Sequence, residues 1–183
     1  MVNSADSAGQ VAPAGLEPVR TLLNSWLIPN DSRQPTDRFA ELARELRWRR
    51  GDAELVRELR DDLRQAVESG DAGCLNQWIA RTHLRPVVEE GGIVYQHRAG
   101  PAGDYLAAVI SAVGTGTWKR LKACPDCKWV FYDNTRNGSK RWCLMYAGGP
   151  DGRACGTIAK VRRYRSRQAL EQAPEGAAAS SVG

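Results

Sequence analysis

Histidine is scarce in this sequence, and recognisable catalytic motifs are missing from it. The 183 residues contain two histidines, His83 and His97, and neither lies near a candidate nucleophile in the sequence. We find no Ser-His-Asp arrangement, no phosphate-binding glycine loop and no paired carboxylate motif. These absences argue against an enzyme, so we expect a protein that binds a partner.

Long apolar runs and an export signal are also missing. No stretch approaches the eighteen consecutive apolar residues of a membrane-spanning helix. Residues 1–15 are small and polar, and they lack the cationic and apolar segments of a signal peptide. We therefore expect a cytoplasmic protein with no membrane partner. In such a reducing compartment, clustered cysteines bind metal more often than they form disulfides.

Lysine is absent before residue 119, and positive charge is concentrated towards the end of the chain. Residues 1–117 contain 13 arginines and 16 acidic residues, a balance of −3. Residues 118–168 contain 13 lysines and arginines and three acidic residues, a balance of +10. Positive charge concentrated in one segment favours a polyanionic partner. We expect this partner to be DNA, with RNA as the alternative.

Helical periodicity dominates residues 15–118. Apolar residues at helical spacing predict five helices: from Leu16 to a point before Pro29, from a cap at Thr36 or Asp37 to Gly51, from Asp52 to Val67, around Cys74–Ile79, and from Pro101–Asp104 to Val113. Residues 84–89 and 93–98 read as two strands of a hairpin around Glu90-Gly91-Gly92. The charged residues of the third helix, including Arg60 and Arg64, are expected to face solvent.

Four of the five cysteines lie in one segment, as Cys124-x-x-Cys127, Cys143 and Cys155. Zn²⁺ in structural sites prefers four tetrahedral ligands, and a Cys-x-x-Cys turn supplies two of them from one loop. The spacing predicts a structural Zn²⁺ site, with free thiols or a redox Cys-x-x-Cys pair as alternatives. Without Cys155 as a ligand, a three-thiolate site with an open position would result. Cys74 is the spare cysteine, and we expect it to be a small buried hydrophobe.

A hairpin and a basic helix are predicted around these cysteines. Strand formers over residues 129–133 and the Asn137-Gly138 turn predict a hairpin over residues 129–142. On a helix from Thr157, Lys160, Arg163 and Arg167 would form a basic stripe, whereas a merely solvated helix would mix both signs. The residues that we expect to bind nucleic acid are Arg136, Lys140, Arg141, Lys160, Arg162, Arg163, Arg165 and Arg167.

The aromatic residues of the predicted hairpin have two interpretations. Trp129, Phe131 and Tyr132 either form a small core around the metal or stack on unpaired bases of RNA. We favour the first interpretation. The second would make this segment an RNA-binding or protein-interaction module.

The predicted fold is mainly α with a small β-hairpin. A helical N-terminal domain is followed by a small zinc-stabilised module made of a hairpin and a helix. The predicted divisions are a disordered leader over residues 1–14, the helical domain over 15–118, the zinc module over 119–171 and a disordered tail over 172–183.

Several motifs of the cysteine-rich segment resemble the CGNR-type zinc finger. They are Cys124-x-x-Cys127, Val130-Phe131-Tyr132-Asp133-x-x-Arg136-Asn137, Arg141-Trp142-Cys143-x-Met145 and Cys155-Gly156-x-x-Ala159-Lys160-Val161. In that family the finger follows a mainly helical domain of the ABATE class, described as a stress-induced bacterial transcription regulator. The N-terminal part of this chain, including Leu22-Leu23-Asn24-Ser25, resembles that domain more loosely.

The resemblance implies a site and a function. Cys124, Cys127, Cys143 and Cys155 would be the zinc ligands, and the finger would bind DNA in a nucleoid-associated regulator. A small-molecule effector or a homo-oligomer would then use the helical domain. Two departures affect DNA specificity: Thr157-Ile158 stands where the family has Asn-Arg, and the loop over residues 144–154 is longer.

Overall fold

The structure, a computed structural model, describes residues 10–144 and 154–171, except for the side chains of 169–171. The helices are α1 Glu17–Leu23, α2 Phe39–Glu45, α3 Arg50–Ser69, α4 Cys74–Thr82, α5 Gly100–Gly114 and α6 Cys155–Glu171. The strands are β1 Trp26–Leu27, β2 Thr36–Asp37, β3 Arg85–Glu89, β4 Gly92–Gln96, β5 Leu121–Ala123 and β6 Val130–Tyr132. The predicted class, mainly α with short hairpins, is confirmed.

Among the described residues, the strands form three two-stranded antiparallel sheets, β1 with β2, β3 with β4 and β5 with β6. Within the described ranges, no helix is long and apolar enough to cross a bilayer. The predicted tail, residues 172–183, lies outside the described part of the chain. Of the predicted leader, residues 10–14 are described, and Gln10 and Ala12 are buried there.

One main core joins the helices to the start of the cysteine-rich segment. The long helix α3 packs against α1, α4 and α5. The fully buried residues of this core come from several elements: Val19 and Leu22 of α1, Val56, Leu59 and Leu63 of α3, Leu106 and Val109 of α5, and Val130 of β6. Leu121 of β5 and Tyr132 of β6 belong to the same core. The cysteine-rich segment is therefore packed directly on the helical part.

The first helix is shorter than predicted. Apolar spacing predicted a helix up to Pro29, but α1 ends at Leu23, and Trp26 and Leu27 pair with Asp37 and Thr36 instead. At this point Arg64 of α3 donates hydrogen bonds to the backbone carbonyls of Leu23, the last residue of α1, and Trp26. Side-chain donors of this kind satisfy the carbonyls that a helix end leaves unpaired.

The junction between α2 and α3 also differs from the prediction. We expected a helix ending at Gly51 and a new cap at Asp52, but α2 ends at Glu45 and α3 already begins at Arg50. Arg47 turns the chain with a φ of 55°. Trp48 then packs against Phe39 and Tyr105, with ring centroids 5.9 and 6.0 Å away.

A further prediction on these helices was wrong. Arg60 and Arg64 were expected to face solvent, but both are buried and make specific contacts. Arg60 binds Asp37 through two hydrogen bonds of 2.7 and 3.0 Å. A guanidinium on the inward face of α3 therefore ties it to the segment that precedes α2.

Elements with strong local signals lie where the sequence predicted them. The helices α4 and α5 are present, and β3 pairs with β4 around Glu90 and Gly91. Gly91 has a φ of 94°, a backbone conformation that residues other than glycine rarely adopt. Cys74 lies in α4, half-buried, and burial raises the pKa of its thiol. It is not a member of the four-cysteine cluster.

Candidate metal centre

The Cys124–Cys127 turn sits at the end of the β5–β6 hairpin. Ala123 pairs with Val130, so one cysteine directly follows β5 and the other comes shortly before β6. Two backbone hydrogen bonds of 2.9 Å close the turn, from Cys124 N–H to the Trp129 carbonyl and from Lys128 N–H to the Cys124 carbonyl. Lys128 has a φ of 62°, a left-handed conformation that is unfavourable for a lysine. The surrounding hydrogen bonds hold it there.

The other two cysteines reach the same point from different elements. Cys143 lies in the loop that follows residue 140, and Cys155 is the first residue of α6. The four sulfurs lie within 4.8 Å of one another, with Cys127 and Cys143 at 3.3 Å and Cys143 and Cys155 at 3.6 Å. All four residues are at most 2% exposed.

This donor set fits a tetrahedral metal ion. Metal–sulfur bonds of about 2.3 Å at tetrahedral angles place the sulfurs about 3.8 Å apart, close to the separations seen here. Phe131 is buried beside the sulfurs, and Trp129 and Trp142 pack against them, so the cluster is shielded from water. The prediction that these four cysteines come together is confirmed, and together they could hold a metal ion.

The thiols influence one another strongly. Hydrogen bonds from Cys127, Cys143 and Cys155 lower the pKa of Cys124, because the other thiols stabilise one thiolate. The pKa of Cys143 is raised by its hydrogen bonds with Cys124 and the other sulfurs and by burial. Four buried thiolates would repel one another in this small volume, and a divalent cation would offset that repulsion.

Residues 28–33, in the N-terminal part of the chain, contact the cluster. The sequence predicted a helix up to a point before Pro29 and indicated no such contact. The Ile28 N–H donates to the Cys127 carbonyl at 2.9 Å, and the Asn30 amide Nδ2 donates to Cys155 Sγ at 3.0 Å. Arg33 donates to both carboxylate oxygens of Asp126, at 3.1 and 3.3 Å. Local spacing cannot reveal these contacts because the partners are far apart in sequence.

Further contacts fix the β5–β6 hairpin on the helices. Asn24 forms a two-way pair with the backbone of Val130: its Nδ2 donates to the carbonyl at 2.8 Å, and its Oδ1 accepts from the N–H at 2.7 Å. Arg64 donates to the Lys128 carbonyl at 3.0 Å. These polar contacts add to the apolar packing of Leu121 and Tyr132 in the main core.

The predicted hairpin over residues 129–142 was wrong. The strand β6 pairs with the preceding strand β5, and residues 133–140 form a loop around Asp133, which is fully buried. The Asp133 carboxylate accepts from Lys122 Nζ at 2.7 Å, Thr135 N–H at 3.0 Å and Lys140 N–H at 2.8 Å. Burial alone would raise the pKa of Asp133, but these hydrogen bonds, that of Lys122 first, lower it well below the ordinary value.

The residues predicted to bind nucleic acid fall into two groups. Arg162 donates to Asp126 Oδ1 at 2.8 Å, and Lys140 is half-buried with its Nζ 6.0 Å from the Phe131 ring centre. Like Arg162, the other six are exposed: Arg136, Arg141, Lys160, Arg163, Arg165 and Arg167. Arg167 also lies over the Tyr164 ring, 5.9 Å from its centre.

A stretch of α6, residues 162–168, is exposed on every side of the helix, and within it Arg162 still pairs with Asp126. Tyr164 within this stretch is 52% exposed. Among the described side chains of α6, the buried or half-buried ones lie in its first turns and include Cys155, Ile158 and Val161. Over residues 162–168, α6 therefore buries no apolar face.

The aromatic residues near the sulfurs do not form a stacking surface. Phe131 is fully buried, Tyr132 is 5% exposed and Trp129 is half-buried against the cysteines. The interpretation as a small core around the metal fits Phe131 and Trp129, whereas Tyr132 belongs to the main core, so none of the three is placed for base stacking. Tyr164 on α6 is an exposed aromatic side chain in this region.

A comparison with protein families agrees with this arrangement. No curated protein matches the chain at a significant level. The family model of the CGNR zinc finger matches residues 120–168. The matched region begins just before β5, contains all four clustered cysteines and includes the exposed part of α6 up to Gln168. Residues 120–168 of this chain are therefore similar to the CGNR zinc finger.

Proposed function

We propose that this protein is a DNA-binding transcriptional regulator whose four cysteines hold a structural Zn²⁺ and whose helix α6 contacts DNA. The observation that carries the proposal is the position of α6. Its first residue, Cys155, belongs to the sulfur cluster, and its cationic part over residues 162–168 is exposed on all sides. A metal ion that holds the four sulfurs in place would therefore also hold the start of the basic helix in place.

The zinc part of the proposal rests on the donor set. Cys124, Cys127, Cys143 and Cys155 would hold the ion, and when bound it would cross-link the hairpin, the loop before residue 144 and α6. Four thiolate ligands complete a tetrahedral shell, so no open position is left for a substrate or a reactive water. We therefore propose a structural centre and no enzymatic activity.

The DNA part rests on charge and exposure. Lys160, Arg163 and Arg167 lie at i, i+3 and i+7, which aligns them along one side of α6. The sequence places no acidic residue between Asp151 and Glu171. Such a row neutralises phosphates and makes affinity fall with salt, with a slope of about 0.9 per phosphate contact. Phosphate contacts position a protein on DNA, and base contacts would have to supply sequence specificity.

The helical part would have the regulatory role. We propose that residues 15–118 form an ABATE-like domain, which binds a small-molecule effector or assembles with a second copy. The protein would then be associated with the nucleoid. The looser sequence resemblance of this part supports the proposal. Because β5 and β6 pack directly on the helices, a change in the helical part could alter the position of α6.

The proposal is tested by DNA binding across a salt series. We expect the zinc-loaded protein to select a recurring sequence from a random DNA pool and to lose binding when a chelator removes the metal. A double variant, Lys160→Gln with Arg163→Gln, should reduce the salt slope by about 2. The matched control is Arg44→Gln with Arg98→Gln, which makes the same charge change at exposed positions of the helical part.

Three results would contradict the proposal. Equal, weak binding to every sequence would exclude a sequence-specific regulator. Stronger recovery of RNA than DNA from mixed pools would favour the RNA-binding alternative. An unchanged salt slope in the α6 double variant would exclude α6 as the contact surface.

A further inference from the structure

We propose that Asn30 is an outer residue of the metal centre. Its amide Nδ2 donates a hydrogen bond to the Sγ atom of Cys155, and this contact would orient the thiolate and hold the first residue of α6. The inference rests on the zinc part of the proposed function and is independent of DNA binding. It assigns a role in metal binding to a residue that lies far outside the matched finger.

The geometry is that of a short, buried contact. The Asn30 nitrogen lies 3.0 Å from the sulfur, and the two residues are 8% and 0% exposed. A buried amide is unfavourable unless its polar atoms find partners. A thiolate in the same place also needs donors, because water is excluded from it. The amide of Asn30 supplies a donor to the thiolate of Cys155. A hydrogen bond to a charged acceptor is stronger than one between neutral groups.

A neighbouring guanidinium sets the orientation of the amide. Arg33 Nη1 donates to the Asn30 oxygen at 3.3 Å. A guanidinium has donors only, so the oxygen of the amide must face Arg33. The NH₂ group of the amide is then left to face Cys155. The Asn30 oxygen also lies 3.5 Å from Cys155 Sγ, but the nitrogen is the nearer of the two amide atoms, at 3.0 Å.

Contacts on both sides hold Asn30 at the sulfur. Before it, the Ile28 N–H donates to the carbonyl of Cys127; after it, Arg33 binds the carboxylate of Asp126. Ile28 and Arg33 thus bind two residues of the Cys124–Cys127 turn, while Asn30 binds the cysteine at the start of α6. Residues 28–33 bridge two of the three parts of the chain that supply the thiols.

This arrangement has a consequence for the metal. Groups that hydrogen-bond to a metal ligand fix its orientation, and their loss typically weakens metal binding about 10- to 100-fold. Movement of residues 28–33, which follow α1 and β1, would remove the donor from Cys155. Metal affinity and the placement of α6 would then both depend on the N-terminal part of the chain.

The test uses the full-length protein loaded with Co²⁺, with Asn30→Ala as the main variant. We expect the affinity for Zn²⁺, measured by competition with a coloured chelator, to fall about 10- to 100-fold. We also expect the thiolate-to-cobalt absorption band to move to longer wavelength, because a thiolate without its hydrogen bond gives up electron density more easily. A general loss of stability would lower the amplitude of the band and leave its position unchanged.

Two control variants separate this role from simple docking. Asn76→Ala removes an exposed amide from α4 and should leave both readouts at wild-type values. Asn24→Ala breaks the pair with the Val130 backbone, and so weakens docking without touching a sulfur. It should lower stability and leave the band position unchanged. The same band shift in Asn24→Ala as in Asn30→Ala would overturn the proposal.

A second variant keeps the test decisive if Asn30→Ala does not fold. Asn30→Asp preserves the size of the side chain but replaces the donor with a second negative group, so zinc affinity should fall at least as far. Zinc affinity within twofold of wild type and an unshifted band, in either variant, would refute the role of Asn30. A wild-type protein without any four-thiolate cobalt spectrum would instead refute the zinc centre itself, so the two failures are distinguishable.

Discussion

Asp126, inside the Cys124–Cys127 turn, forms an ion pair of 2.8 Å with Arg162 of α6. The Asp126 side chain is 6% exposed, and its other contact is with Arg33. One carboxylate thus receives a guanidinium from the N-terminal segment and another from the basic helix. Arg162 was expected to bind nucleic acid, but this contact gives it a structural role in placing α6.

Replacing Asp126 with Asn should loosen the start of α6. The change keeps the shape of the side chain and removes the charge that holds Arg33 and Arg162, so we expect a loss of about 1 kcal/mol in stability. Hydrogen exchange of the backbone amides in residues 156–164 should become faster. Asp31→Asn, an exposed change in the same segment as Arg33, serves as the control. Equal exchange rates in the two variants would show that the ion pair does not position α6.

Replacing Arg64 with Met should destabilise the whole molecule. Arg64 is buried and donates to the carbonyls of Leu23, Trp26 and Lys128, and Met would leave these acceptors without their donor. An unsatisfied buried polar group costs about 1–3 kcal/mol, so we expect a loss of about 2–4 kcal/mol in urea denaturation. The exposed change Arg44→Met should alter stability by less than about 0.5 kcal/mol. A similarly small effect for Arg64→Met would disprove this role.

The ion pair of Asp37 with Arg60 predicts a pH dependence. Hydrogen bonds from Arg60 lower the pKa of the Asp37 carboxyl, and the N–H of Phe39 adds to this effect against the influence of burial. Because its folded-state pKa is lowered, the charged Asp37 carboxylate stabilises the fold at pH values above about 4, the ordinary aspartate pKa. This stability is lost as the pH falls below that value. Since Asp37 is partly exposed, its contribution is only about 1 kcal/mol.

The corresponding measurement compares wild type with Asp37→Asn. The difference in Tm should be largest between about pH 6 and 8 and should shrink below about pH 4. Acid also releases metal from thiolates, but it does so in both proteins, so the difference between them isolates Asp37. A difference of equal size at pH 3.5 and pH 7 would mean that the carboxylate charge is not the cause.

Removal of metal should weaken the helical part as well as the cysteine-rich segment. Leu121, Val130 and Tyr132 lie in the main core together with residues of α1, α3 and α5. We therefore expect one cooperative thermal transition that moves to lower temperature when a chelator is added. Two separate transitions, of which the one for the helices is insensitive to chelator, would show that the two parts fold independently.

The sequence predicted the elements and the cluster that depend on local or regular signals. The helices α4 and α5 follow from apolar periodicity, and β3 and β4 follow from the Glu90-Gly91 turn. The grouping of the four cysteines follows from their spacing. In each case the residues that determine the structure are close in sequence or share one chemical requirement.

The failures have a common physical cause. Arg60 and Arg64 are charged, so periodicity assigned them to the solvent, but their targets are carbonyls and a carboxylate on other elements. The strand β6 pairs with β5, and the buried Asp133 that follows it accepts hydrogen bonds from Lys122 and from the backbone of Lys140 instead of continuing into a second strand. The contact of Asn30 with Cys155 likewise joins distant residues. The partner of a buried polar side chain depends on which residues the fold brings close to it. When those residues are distant in sequence, spacing along the chain does not reveal them.

X-ray absorption at the zinc edge of the purified protein would show whether a four-thiolate zinc centre lies at the start of the basic helix. We predict one zinc ion per chain with four sulfur ligands at about 2.3 Å. Cys155→Ser should leave three sulfurs and one lighter ligand, whereas Cys74→Ser should leave all four. A shell with fewer than four sulfurs in the wild-type protein, or a shell unchanged by Cys155→Ser, would contradict the account.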